Sequence, residues 1–284
     1  MAEGTRAALA AAVARLRAAG VEDPPGDARR LLAHALGIGA DRLIVAMPDT
    51  LGPEQAARFA AAIAARAARR PVAQIIGARL FWGLSLRVTP DVLDPRPETE
   101  VLVAEALREG ADAVLDLGTG SGAIVLAILS GRPRARGVGA DISAPALQVA
   151  AANARALGLA DRVAFIRSDW FAQVAGRFDL IVANPPYLAE AELAGLAPEV
   201  ARHEPRGALS PGGDGLGAYR RIAAGAGAHL RPGGRILLEI GPAQGQAVHT
   251  LFTTAGFAAV RVLPDLDGRD RVVAAVWPAD GASG

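Results

Sequence analysis

Residues 114–123 read Val-Leu-Asp-Leu-Gly-Thr-Gly-Ser-Gly-Ala and contain the strongest fold signal in this chain. The apolar residues up to Leu117 predict a buried strand, and the glycines that follow predict a tight loop that opens a helix. Free N–H groups at the start of such a helix favour an anionic group such as a carboxylate or a phosphate. This stretch therefore predicts a ligand-binding loop at the end of a strand.

Strand and helix patterns alternate from residue 113 onward. Strands are predicted at 113–117, 137–141, 163–168, 180–183, 235–240, 260–263 and 272–277, and helices at 121–129, 144–157, 216–229 and 243–255. Such alternation gives a mainly parallel sheet with helices on both faces. The predicted fold class is α/β.

The first seventy residues read as short helices instead. The predicted helices are Thr5 to Ala19, a second capped by Asp27 and ending at Gly37, Asp41 to Met47, and a fourth that starts near Pro53 and closes with Arg66, Arg69 and Arg70. Pro71 ends this module, and short β-like runs between Val72 and Val92 predict a hairpin. We expect a helical domain at 1–70, a connecting hairpin at 71–94 and a larger domain at 95–284.

Composition excludes several classes of chemistry. The 284 residues are 51% hydrophobic, which suffices for a sizeable core, and include no Cys and only four His. Disulfides and thiolate nucleophiles are therefore excluded, and no metal site is expected. The net charge of +1 provides no field that would attract nucleic acid or an anionic membrane. The apolar stretch from Ala7 to Ala14 is too short for a signal segment or a membrane span, so we expect a cytoplasmic protein.

The glycine loop alone leaves two cofactors open. Gly118, Gly120 and Ala123 match the dinucleotide fingerprint, so a nicotinamide cofactor must be considered. Asp116 lies just before the glycines, where a carboxylate repels a pyrophosphate but attracts the ammonium of an amino-acid-like cofactor. The loop Gly118-Thr119-Gly120-Ser121-Gly122 is therefore predicted to bind S-adenosylmethionine.

Two further positions support this cofactor. Asp141 ends the next predicted strand, where its carboxylate can accept both ribose hydroxyls; the alternative is that it caps the following helix. Ser168-Asp169-Trp170-Phe171 follows the third strand and supplies aromatic faces for an adenine ring, although Trp170 can also be a plain core residue.

The strand pattern at residues 178–183 ends in Asn184-Pro185-Pro186-Tyr187. Prolines lack N–H groups, so the carbonyls of Asn184 and Pro185 are held as free acceptors, and the Asn184 side chain adds another. These acceptors can orient one NH2 group while Tyr187 stacks on the planar group that carries it. This arrangement suits transfer of a small electrophile to nitrogen, whereas Pro-Pro alone would indicate an ordinary turn.

These motifs together resemble the protein-(glutamine-N5) methyltransferases, which modify the Gly-Gly-Gln loop of bacterial peptide-chain release factors. The resemblance spans nearly the whole chain. Its segments are Pro71–Gly83, Pro95–Glu100, Asp116–Gly122, Ser168–Phe171, Asn184–Tyr187, Glu204–Leu209, Gly213–Leu216 with Tyr219-Arg220, Leu238–Gly241 with Gln244, and Asp265–Val273.

The resemblance implies a class I S-adenosylmethionine-dependent methyltransferase, with a Rossmann-like, mostly parallel seven-stranded sheet. It implies that Gly118, Thr119, Gly120, Ser121, Gly122, Asp141, Trp170 and Asn184 bind the cofactor. Asn184, Pro185, Pro186 and Tyr187 would hold the target glutamine, with Asn184, Pro185 and Tyr187 as catalytic residues. The helical domain at 1–70 would recognise the substrate, a class 1 release factor. A monomer without nucleic-acid or membrane partners is expected.

Two other enzymatic functions are compatible with parts of the sequence, whereas a non-enzymatic function is not. A ribosomal-protein glutamine methyltransferase would share the same motifs. A DNA or RNA amino-methyltransferase fits the Asn184 clamp after base flipping, but the near-zero net charge disfavours it. A non-enzymatic binding module would require a broken clamp or glycine loop, and both are intact.

Overall fold

The computed structural model describes residues 4–279 and divides the chain into two compact units. One unit is helical and runs up to Ala78, together with Ala197–His203. The other is an α/β unit that contains Arg79–Leu196 and the chain from Glu204 onward. Within residues 4–279, no helix is both long and apolar enough to cross a membrane.

Most helices and strands follow the order that the sequence pattern predicts, but the pattern did not predict helices at 72–76, 198–203 and 206–209. The helices are α1 (Thr5–Ala18), α2 (Pro24–Leu36), α3 (Leu43–Ala46), α4 (Pro53–Ala67), α5 (Val72–Ile76), α6 (Glu100–Ala106), α7 (Ala123–Gly131), α8 (Ala144–Ala156), α9 (Pro198–His203), α10 (Arg206–Leu209), α11 (Gly217–His229) and α12 (Gly245–Thr254). The strands are β1 (Ala78–Phe81), β2 (Leu84–Arg87), β3 (Ala113–Leu117), β4 (Arg136–Asp141), β5 (Val163–Arg167), β6 (Phe178–Ala183), β7 (Leu230–Glu239), β8 (Ala258–Pro264) and β9 (Asp270–Val276).

The segment after Pro71 differs from its predicted strand character. Residues 72–76 form the short helix α5, which ends at Gly77 with φ 76°. Only β1 and β2 form the two-stranded hairpin. The β-branched residues Val72, Ile75 and Ile76 suggested a strand, but they pack on the core of the helical unit, and this burial outweighs their local preference.

The cap of α2 also differs from the prediction. Asp23 is the N-cap, and its side chain accepts a hydrogen bond from the Gly26 N–H at 3.0 Å. Asp27 lies within the first turn and is buried, and its carboxylate contacts Nε of Arg66 on α4 at 2.5 Å. The expected role of Asp27 as a cap is therefore wrong, because the fold uses its charge to join two helices.

A buried ion-pair network surrounds Arg66 in the helical unit. Its guanidinium also contacts Glu199 of α9 at 2.9 Å, and Arg69 contacts the other oxygen of Glu199 at 2.6 Å. These bonds hold the short helix α9 in the helical unit, although it lies more than a hundred residues further along the chain. Arg66 and Arg69, at and just after the end of α4, therefore connect α9 to the rest of the helical unit.

The seven-stranded sheet has the order β5-β4-β3-β6-β7-β9-β8. Every neighbouring pair from β5 to β7 is parallel, whereas β9 runs antiparallel to both β7 and β8. The chain moves outward from β3 through β4 to β5 and then returns to place β6 on the other side of β3. The strand order therefore reverses beside β3, and in open α/β sheets such a reversal creates a crevice at the carboxyl ends of the strands.

Successive strand residues supply two separate cores. Val114, Leu180 and Val182 face a cluster that includes α6 and α7, while Leu115 and Ile181 face a cluster that includes α11 and α12. All five side chains are fully buried. Because both faces are covered, these strands read as continuous apolar runs rather than alternating ones.

Replacing Asp27 with Ala tests the network in the helical unit. The change leaves the buried Arg66 with Glu199 alone, and loss of one partner of a buried pair costs about 3 kcal/mol or more. Hydrogen exchange of the α2 and α4 amides should accelerate accordingly. The exposed Asp41→Ala variant should exchange like the wild type; equal exchange in both variants would contradict the assigned role of Asp27.

Candidate active site

Three strand ends meet at one edge of the sheet. In the parallel register Leu117 pairs with Ala140 on one side and with Ala183 on the other. The next residue of each strand is therefore at the same level: Gly118, Asp141 and Asn184. The sheet register thus brings together one residue from each of the three predicted motifs.

These strand ends border an open cleft of about 320 Å³ in the α/β unit. This volume is at the lower end of the range for small-molecule sites, roughly 300–1,000 Å³. The predicted site residues that line it are Gly118, Thr119, Gly120, Ser121, Asp141, Trp170, Asn184 and Pro186. Further lining residues, which the sequence motifs did not single out for contact, include Arg96, Thr99, Ile142, Pro205, Gly207 and Ala208.

The glycine loop follows β3 with its backbone facing the cleft. Gly118, Gly120 and Gly122 have φ angles of 68°, 54° and 81°, which L side chains rarely adopt. A Cβ on Gly118 would meet no atom within 4 Å, so a side chain there would take up open space beside the cleft. Gly122 is the N-cap of α7 and packs near Leu126 rather than lining the cleft.

Asp116 is fully buried beneath this loop. Its Oδ2 accepts a hydrogen bond from the Thr119 hydroxyl at 2.7 Å, while Oδ1 is buried without a hydrogen-bond partner among the described residues. Burial raises the pKa of Asp116 to about 7, and the nearby charge of Asp141 adds to this shift. Asp116 does not line the cleft, so an influence on a group bound there would have to act through the loop.

Asp141 has the geometry of a ligand-binding carboxylate rather than of a helix cap. Ser143 is the N-cap of α8, so the alternative interpretation of Asp141 as that cap is excluded. One carboxylate oxygen of Asp141 accepts the Gly120 N–H at 2.9 Å and the other accepts the Ser143 N–H at 2.8 Å. A carboxylate offers about four lone-pair positions, so both oxygens retain capacity for ligand hydroxyls.

The cleft also has an apolar part. Trp170 lines it with a backbone φ of 51°, and the turn is held by the Ser168 hydroxyl, which donates to the Trp170 carbonyl at 2.8 Å. Ile142 lines the cleft with 63% of its surface exposed. A large apolar side chain that is exposed beside a cavity is a candidate contact for a planar ring of a ligand. The signal for Ile142 in the sequence is its place directly after Asp141.

The side chain of Asn184 is hydrogen-bonded to Thr99, which is in turn hydrogen-bonded to Glu239. Its Nδ2 donates to the Thr99 hydroxyl at 3.3 Å, and the Thr99 hydroxyl donates to Oε2 of Glu239 at 2.6 Å. Glu239 is 1% exposed, and burial raises its pKa to about 7. Both residues lie in sequence motifs, at 95–100 and 238–241, but the sequence alone predicts no role for either.

Pro185 and Tyr187 lie outside the cleft lining. Pro185 is buried, and the Tyr187 ring packs on the core that contains α11 and α12. The Tyr187 carbonyl accepts a hydrogen bond from Nε2 of Gln244 at 2.8 Å, which fixes the backbone at this point. Burial raises the pKa of Tyr187, so its phenol stays protonated at neutral pH. Its role in stacking on the substrate remains a prediction.

An ion pair lies on the side of the cleft formed by the segment before α6. Nη2 of Arg96, which lines the cleft, contacts the buried Glu204 at 2.6 Å. Burial raises the pKa of Glu204, although the charge of Arg96 opposes this shift. Glu204 is followed by Pro205, Gly207 and Ala208, so the pair connects the two segments that border this part of the cleft.

The residues present fit S-adenosylmethionine. Asp141 can accept from the ribose hydroxyls, and Ile142 and Trp170 offer apolar faces to a purine. Among residues 4–279, no cluster of His, Asp and Glu side chains could hold a metal ion. The fold and this site together define an α/β methyltransferase.

Comparison with known proteins identifies the family. The PrmC N-terminal domain matches residues 7–77, and the methyltransferase small domain matches residues 94–215. The chain is 62% identical to the release factor glutamine methyltransferase of Cereibacter sphaeroides over 96% of this chain and 98% of that protein. It is 47% identical to that of Rhodospirillum rubrum over 94% of this chain and 83% of that protein. The chain belongs to the release factor glutamine methyltransferase family.

A solved methyltransferase from Pyrococcus furiosus shares the fold. It aligns with a TM-score of 0.52 at 18% identity and covers 69% of this chain and 90% of its own. The alignment supports the class I methyltransferase fold. The roles of the individual site residues rest on the geometry described above.

Replacing Asp141 with Ala should weaken binding of S-adenosylmethionine and leave the fold intact. Each charge-assisted hydrogen bond to a ribose hydroxyl contributes about 1.5–3 kcal/mol, so the dissociation constant should rise at least about tenfold. Calorimetric titration measures this constant, with the exposed Asp161→Ala variant as the control. An unchanged constant in the Asp141 variant would mean that this carboxylate only shapes the glycine loop.

Proposed function

We propose that this protein transfers the methyl group of S-adenosylmethionine to the side-chain nitrogen of the glutamine in the Gly-Gly-Gln loop of class 1 release factors. The observation that supports this best is the position of Asn184. It follows β6 directly across from the glycine loop of β3, and it borders the same cleft as Asp141. A planar amide therefore stands next to the proposed cofactor site.

The cofactor supplies a methyl group that is activated by the positive charge on sulfur. The residues of the chain must orient the nucleophile, because an amide nitrogen is a weak one whose lone pair is delocalised into its carbonyl. Acceptors that bind its protons should stabilise the transition state more than the ground state. Asn184 Oδ1 and the Pro185 carbonyl are the proposed acceptors, and the proton that the product carries in excess can leave to water.

Pro186 and Tyr187 complete the proposed clamp. Pro186 lines the cleft, and the backbone of Tyr187 is held by Gln244. A Cβ on Gly215 would lie only 2.4 Å from the Tyr187 carbonyl oxygen, so this part of the chain is tightly packed. A fixed backbone costs little reorganisation when the substrate enters.

We propose that the helical domain at residues 1–70 recognises the protein substrate. It contains none of the residues that line the cleft. Ile44 and Val45 on α3 are each 91% exposed, and adjacent exposed apolar side chains favour contact with another protein. The net charge of +1 supports a protein partner rather than nucleic acid. We further propose that the enzyme acts as a cytoplasmic monomer.

Tandem mass spectrometry of a class 1 release factor, treated with enzyme and S-adenosylmethionine, should locate one added methyl group on the Gly-Gly-Gln glutamine. A release factor in which this glutamine is replaced by Ala serves as the control and should stay unlabelled. Labelling of a ribosomal protein or a nucleic acid, with the release factor left unmodified, would assign the protein to one of the other methyltransferase classes.

Replacing Asn184 with Ala should reduce kcat by about a hundredfold or more, the loss seen when one preorganised polar group is removed from a transition state. Binding of the whole release factor should change much less, since the docking surface is large and Asn184 contacts one amide. Steady-state kinetics and a binding titration measure the two effects. Equal losses in kcat and in release-factor binding would contradict the clamp.

A further inference from the structure

The hydrogen-bond chain behind Asn184 has only one direction when Glu239 is ionised. A carboxylate accepts hydrogen bonds and donates none. The 2.6 Å contact between the Thr99 hydroxyl and Oε2 of Glu239 must then use the proton of Thr99. Hydrogen bonds to an ionised, buried acceptor are also among the stronger ones in proteins.

The direction of the hydrogen bond from Thr99 to Glu239 determines the direction of the hydrogen bond between Asn184 and Thr99. A hydroxyl that has given its proton to Glu239 presents only lone pairs to its other neighbours. The group of Asn184 that lies 3.3 Å from Thr99 must therefore be the NH2, and the side-chain oxygen must lie at the other end of the amide. The orientation of Asn184 thus follows from the charge on Glu239 rather than from shape, because the two ends of an amide have nearly the same size.

We propose that Thr99 and Glu239 are positioning residues that hold the Asn184 amide with its oxygen toward the nitrogen to be methylated. This inference rests on the proposed function of Asn184. In the reversed orientation two NH2 groups would face each other and the substrate would lose an acceptor. The hydrogen bonds of Thr99 and Glu239 therefore fix which end of the Asn184 amide faces the substrate. Neither residue needs to touch the substrate nitrogen.

Protonation of Glu239 removes this constraint, because a neutral carboxyl can donate to Thr99 as well as accept from it. Arg271 on β9 and Arg96 before α6 favour the ionised carboxylate, whereas burial and Glu98 oppose it. Tyr219 on α11 donates to the Glu239 backbone carbonyl at 3.0 Å, and Tyr187 is the other ionisable group nearby. Burial has the largest effect and raises the pKa of Glu239 to about 7. The ionised form, and with it the constraint that orients Asn184, is therefore gained as pH rises through 7.

Replacement of Thr99 tests the positioning role. Thr99→Val keeps the shape of the side chain but removes the hydroxyl, and kcat should fall about 10- to 100-fold. The KM for the release factor and the dissociation constant of S-adenosylmethionine should stay near their wild-type values. Thr99→Ser restores the hydroxyl and should recover most of kcat. A Thr99→Val enzyme with wild-type kcat, or a Thr99→Ser enzyme as slow as the Val variant, would overturn the proposal.

The pH profile separates Glu239 from the other buried carboxyl. Wild-type kcat should fall as pH drops from 8 to 6, because Glu239 takes up a proton near pH 7. Glu239→Gln cannot titrate and should lose this fall. With S-adenosylmethionine held at saturation, so that effects on its binding do not enter kcat, Asp116→Asn should keep this fall, although burial raises the pKa of Asp116 to about 7 as well. Loss of the fall in the Asp116 variant and its retention in the Glu239 variant would overturn the assignment.

A spectroscopic measurement tests the proposal without activity. The side-chain NH2 signals of Asn184 in the 15N-labelled full-length protein, assigned by their loss in Asn184→Ala, should shift with a midpoint near pH 7. The shift should vanish in Glu239→Gln and in Thr99→Val. If the wild-type signals do not titrate, the proposal fails even where methylation occurs. If they titrate while the release factor stays unmethylated, the proposed substrate fails and the positioning chain stands.

Discussion

The parallel register of β3 with β4 and β6 is the constraint on which the site depends. Leu117 pairs with Ala140 and Ala183, so Gly118, Asp141 and Asn184 emerge at one level. Ladder hydrogen bonds and two apolar faces fix this register, since a slip by one residue would turn each buried side chain to the opposite face of the sheet. The glycine loop, the Asp141 carboxylate and the Asn184 amide are therefore placed by the packed sheet.

Two buried carboxyls lie close to this edge, and both reduce the stability of the fold above acidic pH. Asp116 and Glu239 have pKa values raised to about 7, so the folded chain holds two protons that the unfolded chain releases near pH 4. Unfolding thus becomes easier as pH rises from about 4 to 7. A bound cation would favour the ionised Asp116, and the proposed orientation of Asn184 requires the ionised Glu239.

Local signals described the α/β unit well and the helical unit less well. A strand that ends in glycine, Asp or Asn can be recognised from a short stretch of sequence. For this reason β3 and β6 end where the sequence predicted. Asp27 looked like a cap because it lies near the start of a helical pattern, but its partner Arg66 is 39 residues away. Residues 72–76 looked like a strand because β-branched side chains favour strands. Nothing in this local pattern showed that the residues would pack on a helical core.

The sequence alone determined the residue types at each strand end, the order of the seven strands of the large sheet and, through the resemblance of its motifs, the family. Each of those features depends on residues that are close together in the sequence, so it can be predicted from a short stretch of chain. Only the tertiary structure decided which residues stand behind the clamp: Thr99 and Glu239 lie 140 residues apart, and Asn184 lies 85 residues beyond Thr99. Their contact depends on the sheet register and on the packing of the segment before α6, which involve residues far apart in the sequence.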